Sequence, residues 1–514
     1  MAATDTQIPE PLGAQPAAGA PDDNAIDKAL LLVAVVVVLG TVMSILDTTV
    51  VNVAINTLAV RFHTTLTTIQ WVATGYTLAL ATVIPLSGWI ADRFGTKRLY
   101  MASIALFVVG SSLSGLAWSS GTIIFFRVLQ GLGGGMIMPA GMTILTRAAG
   151  PHRIGRVMAI MGVPMLLAPV VGPILGGWLV TDASWRWIFF INLPIGIVAL
   201  ISALRILPRD ISASEHKLDV VGLLLLSPGL ALTIYGLAES NSSGGFGSGR
   251  VLIPLVVGLG LIATFVWHGL RESEALIDLR LFASRVFSTS SITLVLMVIA
   301  VFGSFLLLPL YFQAVRGESA LQSGLLLAPQ GFGAMLAMPA AGQLSDKTGS
   351  GKIVPFGMLI IAASVLWLTQ IGPHTSFVAI AVDLFFNGIG MGLAMMPVFT
   401  GALQSITGAA VARANTTLNI LQQTGASIGT AILSVLLATF LRNKLGHVLG
   451  NLDARLQAPA ASREHVVRLM SSAFGETFWW ALGLLIIAFI ASLFLPKQKP
   501  EMPEGEPARA AIPL

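Results

Sequence analysis

Fourteen stretches of about 20 predominantly apolar residues run through this chain, each long enough to cross a bilayer as a helix. They begin near Ala29, Thr67, Leu99, Gly121, Gly155 and Trp187, then near Asp219 and Val251. The last six begin near Phe287, Leu321, Lys352, Ser376, Arg413 and Gly475. Lipid offers no hydrogen bonds, so a spanning backbone must satisfy its own polar groups, and apolar runs of this length become helices. The expected fold class is therefore an all-α membrane protein. Only 10% of the residues are charged, against about 25% in soluble domains. A water-soluble fold of 514 residues has no room to hide a sequence that is 55% hydrophobic.

An even number of spans returns both ends to one side, and basic residues say which. With the N-terminus inside, the inside segments carry 19 Lys and Arg, against four in the short outside loops. By the positive-inside rule both termini are expected in the cytoplasm, with the chain in the cell membrane. This bias also explains the net charge of +5 and the pI near 9.7. The basic residues are spread one to three per loop, so no nucleic-acid partner is expected. There is no cysteine, and none of the seven histidines pairs at metal-ligand spacing. No nucleophile–base constellation is visible either. Neither enzyme chemistry nor a cofactor or metal is expected.

The expected organisation has five parts. Residues 1–28, rich in Ala, Pro and acid with no basic lead, read as a disordered cytoplasmic tail. Residues 29–205 form a six-helix bundle, and 287–495 form a second. Between them, 206–286 hold two inserted spans and the amphipathic interfacial segment "ALIDLRLFASRVF". Residues 496–514 are a second disordered tail. Most connections are short; the exceptions are the polar loop 239–250 and an outer loop of about 35 residues, 441–475.

The two bundles repeat. "PLSGWIADRFG" (85–95) recurs as "PAAGQLSDKTG" (339–349), with Pro85/Pro339, Gly88/Gly342, Asp92/Asp346 and Gly95/Gly349 all offset by 254. In the fourth and twelfth spans, Gly131/Gly388, Gly133/Gly390 and Gly135/Gly392 are offset by 257. Parallel repeats with a site between them at mid-membrane are a transporter architecture.

The motifs resemble those of the major facilitator superfamily. "GWIADRFGTKR" (Gly88 to Arg98) resembles its loop 2–3 signature, and "RVLQGLGGG" (Arg127 to Gly135) its fourth-span signature. "GPILGG" (Gly172 to Gly177) is similar to the fifth-span signature of its antiporters, and "LDTTVVNVAI" (Leu46 to Ile55) to the first-span signature of its drug:proton antiporters. "WRWIFFINLPIGI" and "LIDLRLF" look like the fourteen-span, EmrB/QacA-type branch. The resemblance covers roughly residues 29–495. It implies two six-helix bundles plus two inserted helices, and alternating access by rocking of the halves.

The resemblance also implies a conformational gate. Gly88, Asp92, Arg93, Gly95, Lys97 and Arg98 would latch the cytoplasmic side in one state. The plainer reading of that loop is a topogenic basic segment. Gly172, Pro173, Gly176 and Gly177 would supply a close-packed, sliding helix face, since small residues let membrane helices approach.

A charge at mid-membrane costs on the order of 3 kcal/mol on insertion scales, so Asp47 needs a reason to be there. Arg127 and Asp383 fall at similar depths on other spans. Asp47 is the expected proton-coupling carboxylate, Arg127 its modulator, and Gln130 and Asn52 orienting groups. The alternative is a static Asp47–Arg127 pair. Asp383 is expected to meet a cationic substrate or a second proton. Further substrate-binding candidates are the polar residues Tyr311, Gln330, Asn387, Asn415, Asn419 and Gln422. Methionines and phenylalanines near them in sequence (Met391, Met395, Met396, Phe385, Phe386) suit a pocket for varied apolar ligands.

The expected function is proton-coupled efflux of amphipathic and cationic drugs. A dedicated exporter of one metabolite, lipid or antibiotic on the same fold is the alternative. Partners would be the substrate, protons and the lipid bilayer. Loop 441–475 is either a solvated connector or an outer-face docking element for an accessory, membrane-fusion-type protein.

Overall fold

The structure is a computed structural model. It describes residues 27–149, 153, 157, 160–162, 168, 171–172, 174–208, 217–240, 247–272, 275–403, 406, 410–449, 459 and 462–497. Both expected tails lie outside these residues except for 27–28, where the first helix already begins, and 496–497. Every regular element among the described residues is helical. Twelve helices are long and apolar enough to cross a membrane, and a bent pair adds a thirteenth. The fifth expected span, from Gly155, falls largely outside the described residues.

The first span is Lys28–Arg61. Asp27 caps it by accepting from the Leu30 amide at 2.6 Å, and lies 3.2 Å from Arg153. The backbone donor first, and Arg153 beside it, hold the Asp27 carboxyl below its ordinary range. The second span is Trp71–Val83 followed by Leu86–Phe94, bent by 54°. Pro85 lies at the break, where it has no amide hydrogen to continue the ladder. Its repeat partner Pro339 stays inside the unbroken tenth-span helix Ala320–Thr348, so the halves differ here.

Thr96–Gly115 and Ser120–Ala149 are the third and fourth spans, and the sixth is Trp187–Phe190 with Asn192–Ile206. The inserted spans are Val220–Glu239 and Gly249–Gly269. The second half continues with Arg285–Leu310, then Ala320–Thr348, Ser350–Leu368 and Phe377–Leu403. It closes with Ala410–Leu449 and Arg463–Ser492. The thirteenth-span helix thus carries Arg442 and Lys444 well into the segment expected as loop. The connection shrinks to 450–462, mostly outside the described residues. Polar residues past the membrane extend a helix as readily as they end it. The interfacial segment contains a short 3-10 helix, Leu279–Ala283.

The internal repeat is physical. A Cβ on Gly131 would meet the carbonyl of Tyr76 in the second span, and one on Gly388 would meet the carbonyl of Gln330 in the tenth. Gly133 and Gly390 press instead on the third and eleventh spans, against Phe107 and Gly357. In each half the fourth helix is wedged backbone-to-backbone between two neighbours, which the missing side chains permit. Gly95 and Gly349 also match: both take positive φ (94° and 82°) where the chain turns from one helix into the next.

Candidate functional site

Inside the first half, the first, fourth and sixth spans bring one residue each, or two, to a single point. Asp47 and Arg127 are each 1% exposed. One carboxylate oxygen of Asp47 accepts from Arg127 Nη1 at 2.5 Å. The other accepts from Gln130 Nε2 at 2.8 Å and Asn192 Nδ2 at 3.0 Å. Arg127 and Gln130, three residues apart, share a helix face, and Arg127 also donates to Gln130 Oε1 at 2.8 Å. Arg127 Nε donates to the Val72 carbonyl at 3.0 Å. A buried ion pair is tolerable only when its remaining polar atoms are satisfied, and these are. The sequence reading missed Asn192. Its signal was an amide within the apolar sixth span, where "WRWIFFINLPIGI" read as an interface motif.

Between the halves lies a cavity of about 380 Å³. Its first-half wall includes Thr41, Ser44, Thr48, Tyr76 and Thr77; its second-half wall includes Phe302, Phe305, Met338, Met395 and Met396. Asn419 and Gln422 line it. Asp47 and Arg127 do not line it. Tyr76 touches both places: its ring stands over the Arg127 guanidinium at 4.1 Å, and its hydroxyl lies 3.2 Å from the Ser44 hydroxyl on the cavity wall. The ion pair is therefore one side chain removed from the cavity.

Several expected substrate contacts sit elsewhere. Asp383 accepts from the Ser364 hydroxyl at 2.8 Å, Asn387 donates to Ser364 at 2.9 Å, and Gln330 donates to Asn387 at 2.7 Å. This chain is internal to the second half, and Asp383, Asn387 and Gln330 are off the cavity. The expected convergence of three ionisable groups becomes one pair and a separate carboxyl group. The reason is azimuthal: Arg127 plus 257 is Leu384, not Asp383, and one residue turns the side chain by about 100°. Tyr311 donates to the Gly372 carbonyl at 2.6 Å and is off the cavity lining. Asn415 is fully buried and also off the lining. The side chain of Asn52 lies outside the described residues.

At one end of the molecule the halves are tied together. Ser87 and Thr416 hydroxyls are 3.1 Å apart, and a Cβ on Gly88 would lie 3.1 Å from Thr416 Oγ1. Asp92 lies 3.4 Å from Arg147 in its own half and 3.7 Å from Arg413 in the other. Lys97 does something different from latching. Its ammonium donates to the carbonyls of Leu204 and Leu207 at 3.0 and 2.5 Å, capping the sixth span within the same half. Arg93 and Arg98 are exposed. The side chains of Asp346 and Lys347, in the second-half copy, lie outside the described residues. On the fifth span, Gly172 and Gly176 pack against Thr49 and Val50, one turn from Asp47, whereas Gly177 faces open space. Pro173 lies outside the described residues.

Comparison with known proteins places this geometry. The family model described as Major Facilitator Superfamily matches residues 37–430. The chain is 43% identical over 495 residues to a "Multidrug resistance protein B homolog" of Mycobacterium tuberculosis (strain ATCC 25618 / H37Rv), covering 93% of this chain and 92% of that one. It is 32% identical over 405 residues to "Multidrug export protein EmrB" of Escherichia coli (strain K12), covering 78% and 79%. Among solved structures, the proton:xylose symporter XylE aligns with a TM-score of 0.58 at 14% identity, over 90% of this chain and 94% of that one. The likeness to XylE is one of fold.

Proposed function

The chain belongs to the major facilitator superfamily, and from that premise we propose that it is a proton-coupled multidrug exporter of amphipathic compounds. The names of the two relatives support the export of drugs. The observation that carries proton coupling is the Asp47–Arg127 pair, buried in one half beside Tyr76, which also lines the inter-half cavity.

A proton reaching Asp47 removes the negative charge that Arg127 faces. Arg127 then keeps only the neutral acceptors Val72 and Gln130, and the arrangement of first and fourth spans that suits the ion pair loses its advantage. Gly172 and Gly176 hold the fifth span against Thr49 and Val50, so displacement of the first span passes directly to it. The latch at Ser87, Gly88 and Asp92 closes one end of the cavity. Given the distribution of basic residues, that end is cytoplasmic, as are both termini, and the membrane is the cell membrane. Inward proton movement then supplies about 2.3 kcal/mol per charge per 100 mV.

Inverted membrane vesicles test this reading. An imposed pH gradient, with no nucleotide present, is expected to drive drug accumulation that a protonophore abolishes. Accumulation indifferent to the protonophore contradicts it.

A further inference from the structure

Resting on the exporter reading, we propose that the inter-half cavity selects uncharged amphiphiles and discriminates against permanent cations. The described lining contains no Asp, Glu, Lys, Arg or His. Part of the fifth span lies outside the described residues, but its sequence from 157 to 181 has no ionisable side chain either. A cation entering this space would leave its hydration without meeting a counter-charge.

The nearest charges offer none. Asp47 and Arg127 neutralise each other, and both oxygens of Asp47 are occupied by three donors. Asp383 is bound to Ser364 within the second half and is off the lining. The Tyr76 ring, whose face would otherwise attract a cation, already holds the Arg127 guanidinium. That fixed positive charge repels a second one.

The polar atoms that do line the cavity are neutral and offer both acceptors and donors. Thr41, Thr48, Thr49 and Thr77 each donate the hydroxyl hydrogen to a carbonyl of their own helix, at 3.0–3.2 Å. What remains for a ligand is the hydroxyl lone pairs. Asn419 gives one of its two amide hydrogens to the Asn415 carbonyl at 2.8 Å; the other, with the amide groups of Gln422 and Gln423, adds donors to the same lining. The opposite wall of Phe302, Phe305 and methionines takes the apolar body, and methionine repacks easily around different shapes. An uncharged ligand with a polar group on an aromatic body satisfies both walls.

Fluorescence binding to the purified full chain in nanodiscs tests the proposal. The probe is N-phenyl-1-naphthylamine, which is uncharged and carries one N–H. The competitor is ethidium, a permanent cation. N-phenyl-1-naphthylamine is expected to bind, with ethidium at least tenfold weaker. Gln422→Glu is expected to strengthen ethidium at least tenfold; Gln423→Glu, also on the lining, serves if the first variant does not fold. Ethidium binding as tightly as the probe in the unaltered protein overturns the proposal, as does no binding of the probe. Binding of the probe at this site without proton-driven movement of it in vesicles supports the selectivity while removing the exporter reading.

Discussion

The ring of Tyr76 lies 4.1 Å from the guanidinium carbon of Arg127 and also forms part of the cavity wall, so one side chain stands between the buried ion pair and the space between the halves. Replacing it tests whether that separation matters. Tyr76→Ala is expected to expose the pair to the cavity and to raise substrate-independent proton leak several-fold in proteoliposomes carrying a pH-sensitive dye. Tyr76→Phe keeps the ring over Arg127 and is expected to leak no more than the unaltered protein.

Removing one partner of a buried pair strands the other charge. Arg127→Leu is expected to destabilise the protein by about 3–5 kcal/mol, because Asp47 keeps only Gln130 and Asn192. The double variant Asp47→Leu/Arg127→Leu is expected to melt at a higher temperature than Arg127→Leu alone. Thermal unfolding in detergent reads both. A double variant less stable than the single one contradicts the pairing argument.

The latch is testable by cross-linking, since the chain has no cysteine of its own. Ser87 and Thr416 hydroxyls sit 3.1 Å apart, close enough for cysteines there to meet with small adjustment. Oxidation of Ser87→Cys/Thr416→Cys is expected to stop transport, and reduction to restore it. Full transport with the cross-link formed means that this contact need not open.

Asp383 provides a contrast with Asp47. Its described partner is a neutral hydroxyl in the second half, and it is off the cavity. Asp383→Asn is expected to retain transport within about threefold, corresponding to about 0.6 kcal/mol. A loss as large as that of an Asp47 variant places the second-half chain in the coupling route.

The contrast shows what the sequence made legible. Depth along a span can be counted, and the repeat offsets are visible in the glycines, so the fold, the Asp47–Arg127 pair and Gln130 were all readable. Azimuth was not. Spans that are apolar all round carry no polar stripe to say which face meets a neighbour. Gln130 plus 257 is Asn387, and both amides are buried in the polar cluster of their own half; Asp383, one residue off register with Arg127, joins the second-half cluster through Ser364 and does not reach the Asp47–Arg127 pair. Tyr76 and the cavity threonines escaped notice for another reason. Threonine in a membrane helix usually bonds its own backbone, so its presence on an apolar span signals little.

The central claim is that Asp47 carries the coupled proton, and its most direct test is substrate-driven proton release from proteoliposomes. The unaltered protein is expected to move protons when an exported amphiphile is added on the opposite side. Asp47→Asn, inserted in equal amount, is expected to show no substrate-dependent proton movement. Proton release by Asp47→Asn equal to that of the unaltered protein would contradict the account, and the buried pair would then be a structural tie alone.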